Sequence, residues 1–266
     1  MILSIEGPEA TGKTTMAYTS PLPIVGFSFD VGSERALYGT MYDKYFAKLD
    51  IRIINYNEPW DGVYGDITIF EMPQPVQLDQ NMLKGFMEQW SFFINHLNEA
   101  VVTKGVPTVV VDTMTLARRI KADAYLQELQ ENNPSRPRKQ LLQIEYGHAN
   151  DSIKNIYTLM AGMRRNLIAI HHQTDERKDG VDKDGAVVSM MTGNKVLEGL
   201  NNTYRYVDVA LVTSKGKDGI VGKMQKCGYN LSLEGNPISN PDWDKITGMI
   251  SMSLGDRIKF EKRSAE

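Results

Sequence analysis

The chain has 266 residues, enough for one large α/β domain around a sizeable core, and a formal net charge of −3 marks no global affinity for nucleic acid or membranes. Cys227 is its sole cysteine, which excludes an internal disulfide framework and a cysteine-based zinc site and fits a reducing cytoplasm, the expected location. No apolar run approaches the length of a membrane-crossing helix, and the N-terminus reads as a strand entering a glycine loop, not as a signal peptide.

In chain order, Met1 to Glu6 reads as a short buried strand, and Lys13 to Thr19 as the start of a helix cut short by Pro21 and Pro23. Pro23 to Asp30 is strand-like. Ser33 to Leu49 has helical spacing in Leu37, Met41, Tyr45 and Leu49. Ile51 to Asn55 and Ile67 to Glu71 read as strands around a loop, Asn57 to Gly65. Leu78 to Val102 predicts a long amphipathic helix with Met82, Phe86, Trp90, Phe93 and Leu97 on one side. Thr108 to Asp112 is a β-branched run ending in an acid, the form of a strand buried on both faces. Thr115 to Glu131 reads as a helix, Asn132 to Lys139 as a basic, proline-containing loop, Tyr146 to Met163 as a helix and Asn166 to His171 as a buried strand.

Gln173 to Gly185 is charged and predicts an exposed, mobile loop. Ala186 to Met191 reads as a hairpin arm and Gly193 to Asn201 as a short helix. Tyr204 to Thr213 and Gly219 to Lys226 read as strands joined by a Lys-Gly-Lys-Asp-Gly turn, Tyr229 to Leu233 as a further strand, and Asn240 to Ile250 as a short helix before a charged tail. The alternation predicts an α/β fold with a mostly parallel sheet and antiparallel strands at its C-terminal edge, in a single domain over residues 1–266 with its core over about 1–233.

Between the first strand and helix stands Gly7-Pro8-Glu9-Ala10-Thr11-Gly12-Lys13-Thr14, followed by Thr15. This is the phosphate-loop pattern in its required strand-to-helix context. The glycines permit a backbone that aims N–H groups at phosphates, Lys13 supplies a point charge for the β and γ oxygens, and Thr14 offers a hydroxyl to Mg²⁺. Asp112, at the end of the buried strand, is where such a protein holds the metal's water shell. Alone it reads equally as a cap for the helix that follows; beside the phosphate loop the metal role is favoured. The cofactors expected are ATP and Mg²⁺.

Several stretches resemble the RecA-like core, and most of all its compact phage-encoded recombination ATPases of the single-strand-annealing type. They are Phe29 to Leu37, Glu145-Tyr146-Gly147, Asn166 to Gln173, Thr192 to Lys195, Tyr206 to Val209 and Val221 to Lys226. The resemblance covers roughly residues 1–233, and the phosphate loop is its specific part. It implies that Asp30 is the water-activating carboxylate, where RecA proteins carry glutamate; an alternative register puts Gly32 there. It implies that Gln173, with His171 and His172 beside it, senses the γ-phosphate, and that Lys223 and Lys226 reach a neighbouring subunit's nucleotide. It places Arg136, Arg138 and Lys139 in the first DNA loop and Asp175, Glu176, Asp179, Asp182 and Asp184 in a net acidic second loop. Tyr38 is a candidate to stack on the base. The expected activity is ssDNA-dependent ATP hydrolysis in recombination or repair, with assembly into a ring or filament through core faces, because the chain begins at the phosphate-loop strand. The rivals are a P-loop kinase, which should show an arginine lid, and a non-hydrolysing nucleotide switch.

Overall fold

The computed structural model describes residues 1–78, 82–181, 187–200 and 202–263. Its sheet grows from the apolar runs. β1 (Ile2–Glu6), β2 (Ile24–Ser28), β3 (Ile51–Asn55), β4 (Ile67–Glu71), β5 (Thr108–Asp112), β6 (Asn166–His171) and β9 (Val209–Gly216) are mutually parallel; β10 (Gly219–Cys227) and β11 (Pro237–Ser239) close one edge antiparallel. The order is β11-β10-β9-β1-β6-β5-β2-β4-β3. A separate two-stranded ribbon pairs β7 (Gln173–Val181) with β8 (Val187–Leu197).

The central strands are buried along their whole length, and alternate residues feed two apolar layers. Val25, Phe27, Val109, Val111, Leu167 and Ala169 face one layer; Leu3, Ile5, Ile24, Val110, Ile168 and Ile170 face the other. The first layer is covered by α4 (Phe86–Asn98), α5 (Met114–Asn132) and α6 (Tyr146–Gly162). The second is covered by the short α1 (Lys13–Ala17), α2 (Ser33–Leu37) and α3 (Asp43–Phe46), together with α7 (Trp243–Ser253). The fold is therefore α/β, mostly parallel, with an antiparallel C-terminal edge, as the alternation of elements predicts.

Several sequence expectations are corrected. The helix expected from Leu78 starts at Phe86, after Gly85 at φ 85°. There the buried Gln127 accepts hydrogen bonds from the N–H groups of Phe86 and Met87, at 2.9 and 3.1 Å, supplying partners a helix N-terminus lacks; residues 79–81 lie outside the described residues. The helix ends in a π-helical turn, Glu99–Thr103. Ser33 to Leu49 splits into α2 and α3. The stretch expected as a loop at Gln173 is strand β7, and the helix expected from Gly193 is largely the end of β8: each supplies the other's backbone hydrogen bonds, with Gln173 opposite Leu197. Asp182, Asp184 and Ala186 lie outside the described residues. Tyr204 opens as a 3₁₀ turn, with the strand delayed to Val209. Leu231–Leu233 is a 3₁₀ turn, capped by the Asn230 side chain, rather than a strand. The strand found instead, β11, has three residues, too few to show a period.

Candidate nucleotide-binding site

β1, β2, β5 and β6 all end on the same side of the sheet, where ligands of open parallel sheets collect. β6 lies between β1 and β5, so its tip emerges between the phosphate loop and Asp112. A cavity of about 540 Å³ opens there, lined by Glu9 to Thr15, Asp30 to Ser33, Arg35, Ala36, Asp112, Thr113 and His172.

The loop's shape depends on what its glycines leave out. A Cβ on Gly7, at φ 151°, would lie 2.4 Å from both the carbonyl and the hydroxyl oxygen of Thr213 on β9. Gly12 takes a left-handed φ of 69° immediately before α1. Thr11 secures the turn from inside: its hydroxyl donates to the Pro8 carbonyl at 2.8 Å and meets the Thr213 hydroxyl at 2.7 Å. Lys13 folds its ammonium onto the Gly7 and Pro8 carbonyls, at 2.9 and 2.7 Å, and partial burial holds its pKa below the ordinary lysine range. The Thr14 hydroxyl donates to Asp112 Oδ2 at 2.7 Å, and Thr15 donates to the Ala36 carbonyl. Burial pushes the Asp112 carboxyl up to about 6; the Thr14 hydrogen bond opposes the shift and the Asp30 charge adds to it.

Asp112 does not cap α5. Thr113 does, its hydroxyl accepting from the Leu116 N–H at 3.2 Å, so the carboxylate is left facing the cavity. Asp30 is exposed at the neighbouring strand tip, its N–H 3.4 Å from the Asp112 carbonyl and its carboxylate 3.9 Å from His172 Nε2. His172 is fixed through its backbone: its N–H donates to the Thr115 hydroxyl at 3.1 Å, and its carbonyl accepts from the Glu198 N–H at 2.9 Å. The side chain one position earlier turns to the other face. His171 is buried against the Tyr157 hydroxyl at 3.2 Å, and burial holds it neutral, with its pKa down to about 3.

Arg35 entered the sequence reading only as part of the stretch Phe29 to Leu37, without a role. Its guanidinium donates to the Val31 carbonyl at 3.2 Å and occupies space that a Cβ on Gly32 would take. Glu71, at the tip of β4, accepts from the N–H groups of Gly32 and Ser33, at 3.3 and 3.2 Å. These contacts set the wall that carries Asp30. A second cavity, of about 480 Å³, adjoins the first through Ala10, Gly12 and Thr15. Its outer walls are Met41, Tyr42, Ile220, Asn240 and Pro241.

Other expected site residues lie elsewhere. Gln173 is not among the residues lining the phosphate cavity; it opens the β7–β8 ribbon, and His172 takes the wall position. Tyr38 is half exposed and lines neither cavity, whereas Tyr42 lines the second. The Lys226 ammonium is held by the Tyr204 and Val207 carbonyls of its own chain, at 2.5 and 2.7 Å; Lys223 is exposed on β10. In the basic loop, Arg138 is clamped by both oxygens of Glu145, at 2.7 and 2.6 Å, while Arg136 and Lys139 are exposed. Among the described residues no three His, Cys, Asp or Glu side chains gather to hold a metal, and no helix is long and apolar enough to cross a membrane.

A glycine loop between β1 and α1, with Lys13, Thr14 and Asp112 converging on one cavity, defines a P-loop nucleotide-binding protein. The family model described as AAA domain matches residues 1–217, and the chain belongs to that family, which implies a nucleotide hydrolase. Among solved structures, it is similar to a KaiC-like protein from the hyperthermophilic archaeon Pyrococcus horikoshii OT3, at 12% identity over 85% of this chain and 78% of that one, with a TM-score of 0.42. No curated protein matches it.

Proposed function

We propose that this chain is a Mg²⁺-dependent, RecA-like ATPase that acts on single-stranded DNA in recombination or repair, and that it is phage-encoded. The observation that carries the hydrolytic part is the convergence of Lys13, Thr14, Asp112 and Asp30 on one cavity. Thr14 and Asp112 present a hydroxyl and a carboxylate oxygen 2.7 Å apart. Both are hard donors of the kind Mg²⁺ takes, and one carboxylate with phosphate oxygens and waters is its common ligand set. These two residues would hold the ion, which supplies charge neutralisation across the phosphates. Lys13 holds two neutral carbonyls that phosphate oxygens would outcompete. Asp30 is the carboxylate placed to orient or deprotonate water, with His172 beside it. The adjoining apolar cavity suits the base.

The DNA part is supported by the resemblance and by the exposed charges of Arg136 and Lys139. The His172 peptide gives a route of coupling, because it is bonded at the root of the β7–β8 ribbon. The test is ATP turnover with and without a single-stranded oligonucleotide. The expected result is basal turnover raised by the oligonucleotide; turnover indifferent to DNA would leave an ATPase with another partner, and no turnover would favour a kinase or a switch.

A further inference from the structure

The last described segment of the chain is a strap, not a free charged tail. After α7 the backbone reverses at Gly255 and Asp256, both at positive φ, and returns along the helix. Five contacts fasten it. The Ser251 hydroxyl donates to the Ile258 carbonyl at 2.8 Å. Phe260 packs edge-on against Tyr229, with centroids 5.3 Å apart. The Trp243 indole N–H donates to the Glu261 carbonyl at 2.8 Å. Arg263 then reaches Asp244 at 3.0 Å and Asp242 at 3.8 Å.

Asp242 is the junction. It is only 4% exposed and follows Asn240 and Pro241, which wall the second cavity. Its carboxylate caps α7 by accepting from the Lys245 N–H at 2.8 Å and accepts from the Tyr42 hydroxyl at 3.0 Å. The Arg263 guanidinium also lies over the rings of Tyr42 and Tyr45, with centroids at 5.5 and 5.2 Å. One arginine therefore compensates a buried acid and stacks on the aromatic pair of α3 and its N-cap. It links Tyr42 of one wall to Asp242, next in the chain to the Asn240 and Pro241 of the other. An exposed ion pair would contribute little. Removing the partner of a buried carboxylate leaves an uncompensated charge, and the surroundings shift to solvate it.

We propose that Arg263 is a positioning residue for the nucleotide: through Asp242 and Tyr42 it sets the width of the cavity that takes the base. This rests on the reading of the two adjoining cavities as one nucleotide site. It predicts that the strap governs affinity for the base-bearing half of the ligand and leaves the phosphate half alone. No strap residue lines either cavity; the strap reaches the second through Tyr42, which lines it, and through Asp242, which follows Asn240 and Pro241.

The experiment compares dissociation constants for Mg-ATP and for Mg-tripolyphosphate, which has no base, by calorimetry on the whole chain. Arg263→Ala should weaken ATP binding roughly tenfold or more and leave tripolyphosphate binding unchanged, with Arg263→Lys restoring part of the loss. Ile220→Trp, which fills the second cavity, should show the same pattern more strongly. If Ile220→Trp binds ATP as tightly as wild type, the cavity does not take the base and the proposal falls with it. If Ile220→Trp loses ATP affinity while Arg263→Ala keeps it, the base site stands and the strap's role is refuted. Equal loss of ATP and tripolyphosphate in Arg263→Ala would also refute it, because the strap would then support the fold or the phosphate loop.

Discussion

At the scale of residues, the site's chemistry carries a cost in stability. A carboxylate as buried as Asp112 is disfavoured in its charged form, so its pKa rises to about 6 from 3.8. The folded chain then holds that proton more tightly than the unfolded chain does. Stability falls as pH rises from about 4 to about 6, and above that range the ionised acid costs on the order of 3 kcal/mol. In metal-free buffer, Asp112→Asn should therefore unfold at higher urea concentration than wild type near pH 7.5 and lose that advantage near pH 4. The same variant should lose Mg²⁺-dependent turnover. Equal stability at both pH values would show that the carboxylate is not desolvated. Asp30→Asn should leave ATP affinity near wild type and slow hydrolysis about a hundredfold or more, the scale of a general base; steady-state turnover with a parallel binding titration checks it, and unchanged turnover would remove Asp30 from the chemistry. Lys13, Thr14 and Asp112 were legible because local spacing fixes them: a glycine loop and a strand end each announce themselves within about eight residues. Arg35, Tyr42 and Arg263 were not. Their roles come from contacts that no local period encodes, such as Arg263 meeting Asp242 and Tyr42.

At the scale of elements, buried strands were the most readable features. Thr108 to Asp112 and Asn166 to His171 were found within their observed bounds, since a strand covered on both faces needs a continuous apolar run. Boundaries set by distant partners were missed. The start of α4 depends on Gln127 of α5, which is 2% exposed and caps Phe86 and Met87 through its side-chain oxygen. Gln127→Ala should destabilise the chain by about 1–3 kcal/mol, the cost of leaving buried donors unpaired, with nucleotide affinity retained. Urea unfolding measures the first and a binding titration the second; unchanged stability would show that water replaces the amide. The ribbon β7–β8 was misread for a related reason. It buries too little apolar surface to show a strand period, and its stability is in backbone pairing that composition does not reveal. The same ribbon places His172, rather than Gln173, on the cavity wall.

At the scale of the whole molecule, the sheet brings four strand tips to one cavity, and membership of the AAA domain family agrees with what that cavity can do. The proposal of a DNA partner rests on the resemblance and on surface charge. Because Arg138 is clamped by Glu145, the exposed charges available to phosphates on that loop are Arg136 and Lys139. With a non-hydrolysable ATP analogue, oligonucleotide binding should weaken steeply with salt. Replacing Arg136 and Lys139 by Ala should flatten that log-log slope by up to roughly two units, and also replacing Arg138 should add less than a full unit. No retention of oligonucleotide at low salt would exclude this partner. The phosphate loop is the centre of the site, and its role is measured most directly by Mg-ATP hydrolysis in wild type and Lys13→Ala, with folding of both verified by circular dichroism. The expected outcome is measurable turnover in wild type and a loss on the order of a thousandfold in the variant, the effect of removing one charge that stabilises the transferring phosphoryl group. A folded Lys13→Ala protein that hydrolyses ATP at the wild-type rate would contradict it.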